Sequence, residues 1–412
     1  MRIAVVSEVF LPAVDGVVTR LRRTLEELPR CGDEVLMIAP AGGPESYAGV
    51  PVLGVRGLRV PLYPDGDGYP PKRVALPGPA LTRALRAYRP DVVHAIQPVL
   101  LGVGAVAYAR RNRVPLVASY HAHLPSYAKL YRLGWLESGG WRYLRGLHNC
   151  AQVNLATSCA TLAELEGQRI ERLALWPYGV DLARFHPGQA SADWRERLSL
   201  GHPERLVLLY VGRLAKEKTV ERLVEAVRGH PEVALAIVGD GPLRSQLERR
   251  FHGTNTTFLG FLGGPDLARA YASADVFVLP SQTETLGMVT LEAHAAGLPV
   301  VAAESPAARE LVRHGVDGLR YDPGVPGALA GAVSLLAADP ALRARMGQSA
   351  LEAVSGATWR HATQILRGHY VRARERARPQ PAAKAAGGTF DAQAELAALT
   401  APEAVDPSRE AV

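Results

Sequence analysis

The amino-acid sequence predicts an α/β fold made of two domains that each carry a parallel β-sheet. Short apolar strands alternate with helices from Arg2 onward, and the same alternation starts again at Leu206, after a polar segment at 188–204. This alternation is typical of β-α-β units, in which helices cover the faces of a parallel sheet. The chain of 412 residues is long enough for two domain cores of ordinary size.

The domain boundaries follow from the point where the alternation restarts. We predict a Rossmann-like N-terminal domain at 1–183, a linker at 184–204 and a Rossmann-like C-terminal domain at 205–358. A long helix is expected at 359–378. The tail at 379–412 is rich in Ala and Pro and lacks hydrophobic periodicity, so we predict that it is disordered.

The net charge of +7 lies in the first part of the chain. Residues 1–150 hold 19 Lys and Arg against 11 Asp and Glu. Such a surface predicts an anionic partner, and acidic lipid at a membrane is the first candidate. Nucleic acid is the competing partner, but no aromatic platform interleaves the arginines, so we predict no nucleic-acid partner. A third interpretation is that the arginines reflect only a GC-rich genome.

Neither a targeting segment nor a membrane span is evident in the sequence. The longest apolar candidate, 99–109, is shorter than the ~18 residues that a span needs. The start, MRIAVVSE, enters a strand directly and lacks the pattern of a signal peptide. Cys31, Cys150 and Cys159 lack the spacing of a metal site and are expected in the core of a cytoplasmic protein.

The first domain opens with a strand at Arg2–Ser7, a loop that contains Asp15 and Gly16, and a helix to about Arg30. A later strand ends in the sequence SYHAH, which holds His121 and His123. Ligands of open α/β sheets bind at this carboxyl edge. A histidine there is more often structural, and a histidine pair can also bind a metal, but no third ligand is nearby, so we predict no metal.

The second domain begins with a strand and the loop GRLAKEK, which contains Gly212, Arg213 and Lys218. Glycine lets a ligand approach the backbone, and two flanking cations can clamp a diphosphate in place of a metal ion. Surface ion pairs would explain one cation more easily than two. The later turn GDGP, with Gly241, fits an ordinary β-turn as well as a ligand contact.

The most informative stretch is 275–303, DVFVLPSQTETLGMVTLEAHAAGLPVVAA. It predicts a strand, a polar turn with Glu284, a helix through Glu292 and a second strand. Free N–H groups of Thr285, Leu286 and Gly287 at the helix start would suit a phosphate or sugar oxygen. Glu284 and Glu292 lie eight residues apart, about two turns, and would share one face. Taken alone, this spacing is weak evidence, and a solvated helix that carries two glutamates is the favoured interpretation.

ETLGMVTLE, followed by AxxxGLPVV, resembles the E-x7-E motif of the retaining glycosyltransferases of family 4. The three motifs GRLxxEK, GDGP and ETLGxxxLE occur in this order along the chain, which strengthens the resemblance. The resemblance covers roughly residues 1–375. Within the family, the sequence most resembles the sulfoquinovosyltransferase-like and diacylglycerol-type lipid enzymes. This resemblance implies the GT-B fold, with two Rossmann-like domains facing across a cleft and the helix at 359–378 crossing back. The first domain would bind the acceptor and the second the nucleotide sugar.

The resemblance also implies a role for each matching residue. His121 and Glu284 would position the donor sugar, and Arg213 and Lys218 would stabilise the departing diphosphate. Asp15 and His123 would contact the acceptor. The remaining donor contacts would come from Gly16, Gly212, Gly241, Phe261, Leu262, Thr285, Leu286, Gly287 and, at the ribose, Glu292.

The predicted activity is therefore transfer of a hexose from a UDP- or GDP-sugar, with retention and with neither cofactor nor metal. A membrane lipid such as diacylglycerol is the expected acceptor, since the basic first domain and the amphipathic loop at 124–141 could meet the inner face of the cell membrane. A soluble acceptor, a nucleotide-sugar epimerase or sugar phosphorylase, and a non-catalytic nucleotide-sugar binder remain alternatives. A glycosidase is disfavoured, because its two carboxylates flank a bond rather than share a helix.

Overall fold

A computed structural model of the protein describes residues 1–13, 15–59, 73–121, 137–283 and 287–377. Within these ranges it has one eight-stranded and one six-stranded sheet, each in its own lobe, and a separate two-stranded ribbon. The pairs inside the two large sheets are parallel, except the short outermost pair of the first, which is antiparallel. The predicted fold class, two parallel-sheet α/β domains, is confirmed.

The first lobe contains strands β1 to β10 and helices α1 to α5. Its strands are β1 Arg2–Ser7, β2 Glu34–Pro40, β3 Ser46–Tyr47, β4 Val50–Val55, β5 Gly57–Arg59, β6 Arg73–Ala75, β7 Val92–Ile96, β8 Leu116–Ser119, β9 Val153–Ala156 and β10 Leu173–Leu175. Its helices are α1 Gly16–Arg30, α2 Pro79–Tyr88, α3 Leu101–Asn112, α4 Glu137–His148 and α5 Cys159–Gly167. The sheet order is β10-β9-β8-β7-β1-β2-β4-β3, so the ends of β1, β7 and β8 are neighbours.

The second lobe repeats this plan. Its strands are β11 Leu206–Val211, β12 Val233–Val238, β13 Thr256–Gly260, β14 Val276–Leu279, β15 Val300–Ala303 and β16 Gly318–Tyr321, in the order β13-β12-β11-β14-β15-β16. Its helices are α6 Ala192–Leu198, α7 Val224–Val227, α8 Arg244–Arg250, α9 Gly264–Ala272, α10 Met288–Ala295, α11 Pro306–Leu311, α12 Ala328–Ala338 and α13 Pro340–Val354. Central strands such as β12 are buried throughout, as their continuous apolar sequence requires.

The last helix, α14 Trp359–Ala377, belongs in sequence to the second lobe but packs on the first. Its residues Leu366, Tyr370 and Ala373 join the core beneath β1 and β7. Their spacing of four and three residues places them on one face of the helix. Helix α14 therefore ties the end of the described chain to the first sheet.

Two crossings of the chain between the lobes pair with each other. The Val180 N–H donates to the Ala357 carbonyl at 2.7 Å, and Val180 forms a bridge with Thr358. A Cβ on Gly179 would lie 2.4 Å from the backbone nitrogen of Trp359, so only glycine fits at this crossing. The two crossings are thus in direct backbone contact.

Two expectations about the chain need correction. The segment expected as a linker forms helix α6, whose Trp194 and Leu198, four residues apart, are buried in the core of the second lobe. The apolar pair at helical spacing outweighs the polar composition around it.

The three cysteines are free, as expected, but half-buried rather than in the core. The tail at 379–412 lies outside the described residues.

Candidate active site

In the first lobe, the loop after β1 leads directly into α1. Asp15 is the N-cap of this helix, and its carboxylate accepts the Val18 N–H at 2.9 Å. Capping of this kind is worth about 1 kcal/mol. A Cβ on Gly16 would lie 3.7 Å from the Met288 sulfur at the start of α10, so the predicted glycine loop contacts the second lobe.

His121 follows β8 and is buried, with 4% of its surface exposed. Its backbone N–H donates to the Gln97 side chain at 2.5 Å, and its Nε2 lies 2.8 Å from Ser119 Oγ. Burial, and then the nearby Arg20 guanidinium, hold the pKa of His121 well below its ordinary value. The ring is therefore neutral at physiological pH, which suits hydrogen bonding to a sugar rather than charge pairing.

Arg20 is a residue of this region that the sequence analysis missed. It lies fully buried on the inner face of α1, where burial lowers the pKa of its guanidinium to about 10. The guanidinium carbon lies 3.7 Å from the ring centre of Trp176 and 3.9 Å from that of Tyr178. Its Nη2 donates to the Trp176 carbonyl and, at 2.6 Å, to that of Pro177. The signal was present, since Arg20 falls among the apolar positions of α1.

In the second lobe, the loop after β11 carries the predicted cations. Arg213 forms an ion pair with Glu217, and its carbonyl accepts the Tyr210 hydroxyl at 3.2 Å. Lys218 closes the 3-10 turn Lys216–Lys218. A Cβ on Gly212 would lie 2.7 Å from the Tyr210 hydroxyl, which gives this glycine a packing role as well.

The GRLAKEK loop is fixed against the stretch that leads to Glu284. Thr219 Oγ1 donates to the Pro280 carbonyl at 2.8 Å. Ser281 Oγ and Thr283 Oγ1 both donate to the Glu217 carbonyl, at 3.3 and 3.0 Å. Because β11 and β14 are adjacent strands, their following loops meet at the same sheet edge. The structure therefore brings together two motifs that are about seventy positions apart in sequence.

Two more predicted contacts lie on neighbouring loops of this edge. Gly241 has φ of +159°, and a Cβ there would lie 2.5 Å from the Leu214 carbonyl oxygen, so packing between loops requires this glycine. Phe261 and Leu262 follow β13, and Phe261 is 55% exposed. Both residues therefore lie on the loop after β13, at the sheet edge that also carries the GRLAKEK loop.

Helix α10 begins later than the sequence suggested. Gly287, with φ of +72°, is its N-cap, and the first helical residue is Met288. Gly287 in the left-handed conformation immediately precedes the first helical residue, so α10, which carries Glu292, starts four positions after Glu284 in the sequence. Glu284, Thr285 and Leu286, together with His123, lie outside the described residues.

Glu292 is held inside the second lobe by Tyr271, another residue that the sequence analysis did not single out. The Tyr271 hydroxyl donates to Glu292 Oε2 at 3.0 Å. Burial raises the pKa of Glu292 to about 7, while the Tyr271 hydrogen bond and the charges of Arg184 and Arg23 act in the opposite direction. Arg23 lies on α1 of the first lobe, so both lobes influence this carboxyl group.

The lobes also meet away from these motifs. Glu310 on α11 accepts the N–H groups of Cys159 and Ala160, at 3.1 and 3.4 Å, at the first turn of α5. A carboxylate at a helix N-terminus is stabilised by the free N–H groups there. Within the described ranges, no group of three or more His, Cys, Asp or Glu residues is placed to hold a metal ion.

Two parallel-sheet lobes joined by paired crossings, with cationic and carboxylate loops at their strand ends, define a GT-B glycosyltransferase. A family model described as Glycosyltransferase Family 4 matches residues 14–184, and one described as Glycosyl transferases group 1 matches residues 193–353. The chain belongs to this glycosyltransferase family, and it is an enzyme that uses a nucleotide sugar.

Curated relatives agree over most of the chain. It is 36% identical to the sulfoquinovosyl transferase SQD2 of Arabidopsis thaliana, over 86% of this chain and 70% of that protein. It is 38% identical to a GDP-mannose-dependent alpha-mannosyltransferase of Mycobacterium tuberculosis, over 93% and 99%. The alpha-monoglucosyldiacylglycerol synthase of Acholeplasma laidlawii is 26% identical, over 78% and 85%.

Solved structures share the fold. A sucrose-phosphate synthase from Thermosynechococcus elongatus superposes with a TM-score of 0.73 at 24% identity, covering 90% of this chain and 98% of that one. The HepE protein of Anabaena, solved in complex with UDP-glucose, gives 0.71 at 22% identity, covering 90% and 99%. Identity at this level supports the fold alone. The predicted fold, family and enzyme class are confirmed.

Proposed function

We propose that the protein transfers a hexose, with retention, from a UDP- or GDP-sugar to the alcohol of a membrane lipid of the diacylglycerol type. The observation that carries the donor half of this proposal is the set of three hydrogen bonds that join the GRLAKEK loop to 280–283. These bonds hold the loop of Arg213 and Lys218 next to residues 280–283, which immediately precede Glu284 in the sequence. A nucleoside diphosphate would meet both cations at this edge.

The proposed reaction exchanges one bond at the anomeric carbon for another. The bond from that carbon to the diphosphate oxygen breaks while the bond to the acceptor oxygen forms on the same face. The acceptor proton passes to the leaving phosphate. Arg213, Lys218 and the N–H groups at the start of α10 would offset the charge that develops on the diphosphate. His121 and Glu284 would position the sugar, and Glu292 the ribose.

Two observations support a lipid acceptor. The names of three relatives refer to sulfoquinovosyl transfer, to a diacylglycerol product and to phosphatidylinositol mannosides. Residues 1–150 carry the excess of basic charge, which would favour an acidic membrane surface. None of the helices in the described ranges is long and apolar enough to cross a membrane. The basic charge of the first lobe leads us to propose peripheral association at the inner membrane face.

A thermal-shift screen of UDP- and GDP-sugars tests the donor half of the proposal. A hit should be followed by mass analysis of products formed with vesicles that contain diacylglycerol. We expect nucleoside diphosphate and glycolipid in equal amounts, unchanged by EDTA because the two cations replace a metal. Release of diphosphate without any acceptor would favour an epimerase or hydrolase, and binding without turnover would favour a non-catalytic binder.

The membrane part of the proposal has a separate test. Flotation with neutral and anionic vesicles should show stronger binding to the anionic ones and loss of that difference at high salt, since exposed charges are screened. Equal binding to both vesicle types would remove the argument from the basic lobe. Turnover of a soluble saccharide acceptor at a higher kcat/KM than any lipid would point to the soluble alternative.

A further inference from the structure

A chain of buried hydrogen bonds connects His121 to the last helix of the protein. Tyr370 on α14 lies 2.8 Å from His94 Nδ1, His94 Nε2 lies 3.0 Å from Ser119 Oγ, and Ser119 Oγ lies 2.8 Å from His121 Nε2. All four side chains are at least 96% buried. The chain joins β7, β8 and α14, and none of its first three members was a candidate from sequence.

Both imidazoles in this chain are neutral. Burial lowers the pKa of His94 to about 3, with the Arg20 charge and then His369 acting in the same direction. The pKa of His121 is lowered by burial first, then by Arg20, His94 and His148. Each ring therefore carries one N–H, and the hydrogen bonds decide which nitrogen holds it.

Ser119 Oγ has one proton and two imidazole partners, so it either donates to one ring or accepts from both. Accepting from both rings would leave its own buried proton without an acceptor among the described residues, which is unfavourable. Two directions of donation along the chain remain. In the first, the Tyr370 hydroxyl donates to His94, His94 Nε2–H donates to Ser119, and the Ser119 hydroxyl donates to His121 Nε2. The proton of His121 is then on Nδ1. In the second, every bond is reversed, and His121 carries its proton on Nε2.

The second direction leaves the Tyr370 hydroxyl proton without an acceptor. Among the described residues His94 is the sole hydrogen-bond partner of that hydroxyl, and Tyr370 is fully buried. A buried donor without an acceptor is unfavourable. The first direction uses the Tyr370 proton and instead leaves Nδ1–H of His121, which is buried and lacks a partner among the described residues. The two unpaired donors differ in position, because Tyr370 lies in the core beneath the sheet, whereas His121 follows β8 at the carboxyl edge, where a ligand can accept its proton.

We propose that Tyr370, His94 and Ser119 are positioning residues that fix the Nδ1–H tautomer of His121, so that this N–H donates to a hydroxyl oxygen of the donor sugar. The proposal rests on the proposed function, because it takes His121 as a sugar contact. Helix α14 would then do more than pack on the first sheet, because its Tyr370 would determine which nitrogen of His121 carries the proton. A sugar with an oxygen acceptor at that position would be favoured over its deoxy analogue.

The tautomer can be measured directly by long-range 15N–1H correlation spectra of the full chain labelled at histidine, with His121→Gln used to assign the signal. We expect Nδ1–H in the wild type and a mixture of tautomers in Tyr370→Phe, with kcat about tenfold lower and donor KM nearly unchanged. Tyr321→Phe is the matched control, since the Tyr321 hydroxyl is also buried but has no partner among the described residues. It should change neither tautomer nor kcat.

A wild-type Nε2–H tautomer would overturn the proposal, as would unchanged spectra and kcat in Tyr370→Phe. If that variant does not fold, Ser119→Ala breaks the same chain one step nearer to His121, and the wild-type spectrum alone still decides the tautomer. The spectra do not depend on turnover. The expected tautomer without any sugar transfer would therefore count against the proposed function, whereas transfer with the other tautomer would count only against this inference.

Discussion

The two lobes present their functional residues in opposite ways. In the first lobe, His121 and Arg20 are buried, with 4% and 0% of their surface exposed. In the second lobe, the Arg213 side chain is 38% exposed on a loop. A buried neutral imidazole is fixed in one orientation, whereas a partly exposed guanidinium can still be reached by an anionic ligand. We therefore expect the first lobe to position the sugar and the second to bind the charged diphosphate.

The largest expected effect on catalysis comes from removing the cations Arg213 and Lys218. Arg213→Ala or Lys218→Ala should lower kcat/KM about 10²-fold, because each removes charge stabilisation of the departing diphosphate. Stability should change by less than about 0.5 kcal/mol, as for most exposed positions. Steady-state kinetics with the donor found by thermal shift provide the measurement.

Lys216→Ala is the matched control for these variants, because Lys216 lies in the same turn as Lys218 but is exposed. Its kinetics should stay close to those of the wild type. An equal loss in Lys216→Ala would mean that general positive charge, and not a specific clamp, acts in the second lobe.

Glu292 is a half-buried carboxyl group of the second lobe and gives the next largest effect. Its pKa is about 7 in the folded protein against 4.5 ordinarily, so the folded state holds a proton that the unfolded state loses. Stability from this group is complete below pH ~4.5 and is lost as pH rises through about 7. Glu292→Gln should therefore increase stability at pH 8 by on the order of 3 kcal/mol, because the pKa rises from 4.5 to about 7 at ~1.4 kcal/mol per pKa unit.

The same substitution should weaken donor binding, because an amide cannot accept from both ribose hydroxyls as a carboxylate does. Urea unfolding at pH 5 and pH 8, with titration of the free nucleoside diphosphate, measures both effects. A stability gain that is the same at both pH values would show that Glu292 is not the titrating group. Unchanged diphosphate affinity would remove it from the ribose site.

The contact of Glu310 with α5 tests whether the two lobes act as one unit. Glu310→Ala removes the acceptor of two N–H groups and should cost about 1–2 kcal/mol in unfolding free energy. Small-angle scattering should show a larger radius of gyration. Arg309→Ala on the same helix removes only an exposed ion pair and serves as the control. Equal radii for all three proteins would mean that this contact does not hold the lobes together.

Asp15 gives the smallest expected effect and separates a structural role from acceptor binding. Asp15→Ala removes the cap of α1 and should cost about 1 kcal/mol, whereas Asp15→Asn keeps a capping side chain and should cost little. Thermal unfolding measures both. A rise in acceptor KM for Asp15→Asn at wild-type stability would favour an acceptor contact, and an unchanged KM would leave capping as its function.

The sequence alone determined the fold class, the family and the candidate loops of the second lobe. Those features depend on local patterns, such as strand and helix periodicity, glycine turns, and the order of motifs along the chain. The GRLAKEK loop was recognisable because its glycine and cations all lie within one short segment, 212–218. Even the two-lobe plan could be predicted, since the alternation of strands and helices begins twice.

Only the tertiary structure decided how the first lobe is organised. Tyr370 and His94 are 276 positions apart and meet because α14 returns to the first sheet. Arg20 is buried because the segment that holds Trp176 and Tyr178 packs against α1. The start of α10 depends on the backbone conformation of Gly287. Contacts between distant residues follow from sheet order and helix packing, which no local pattern in the sequence specifies.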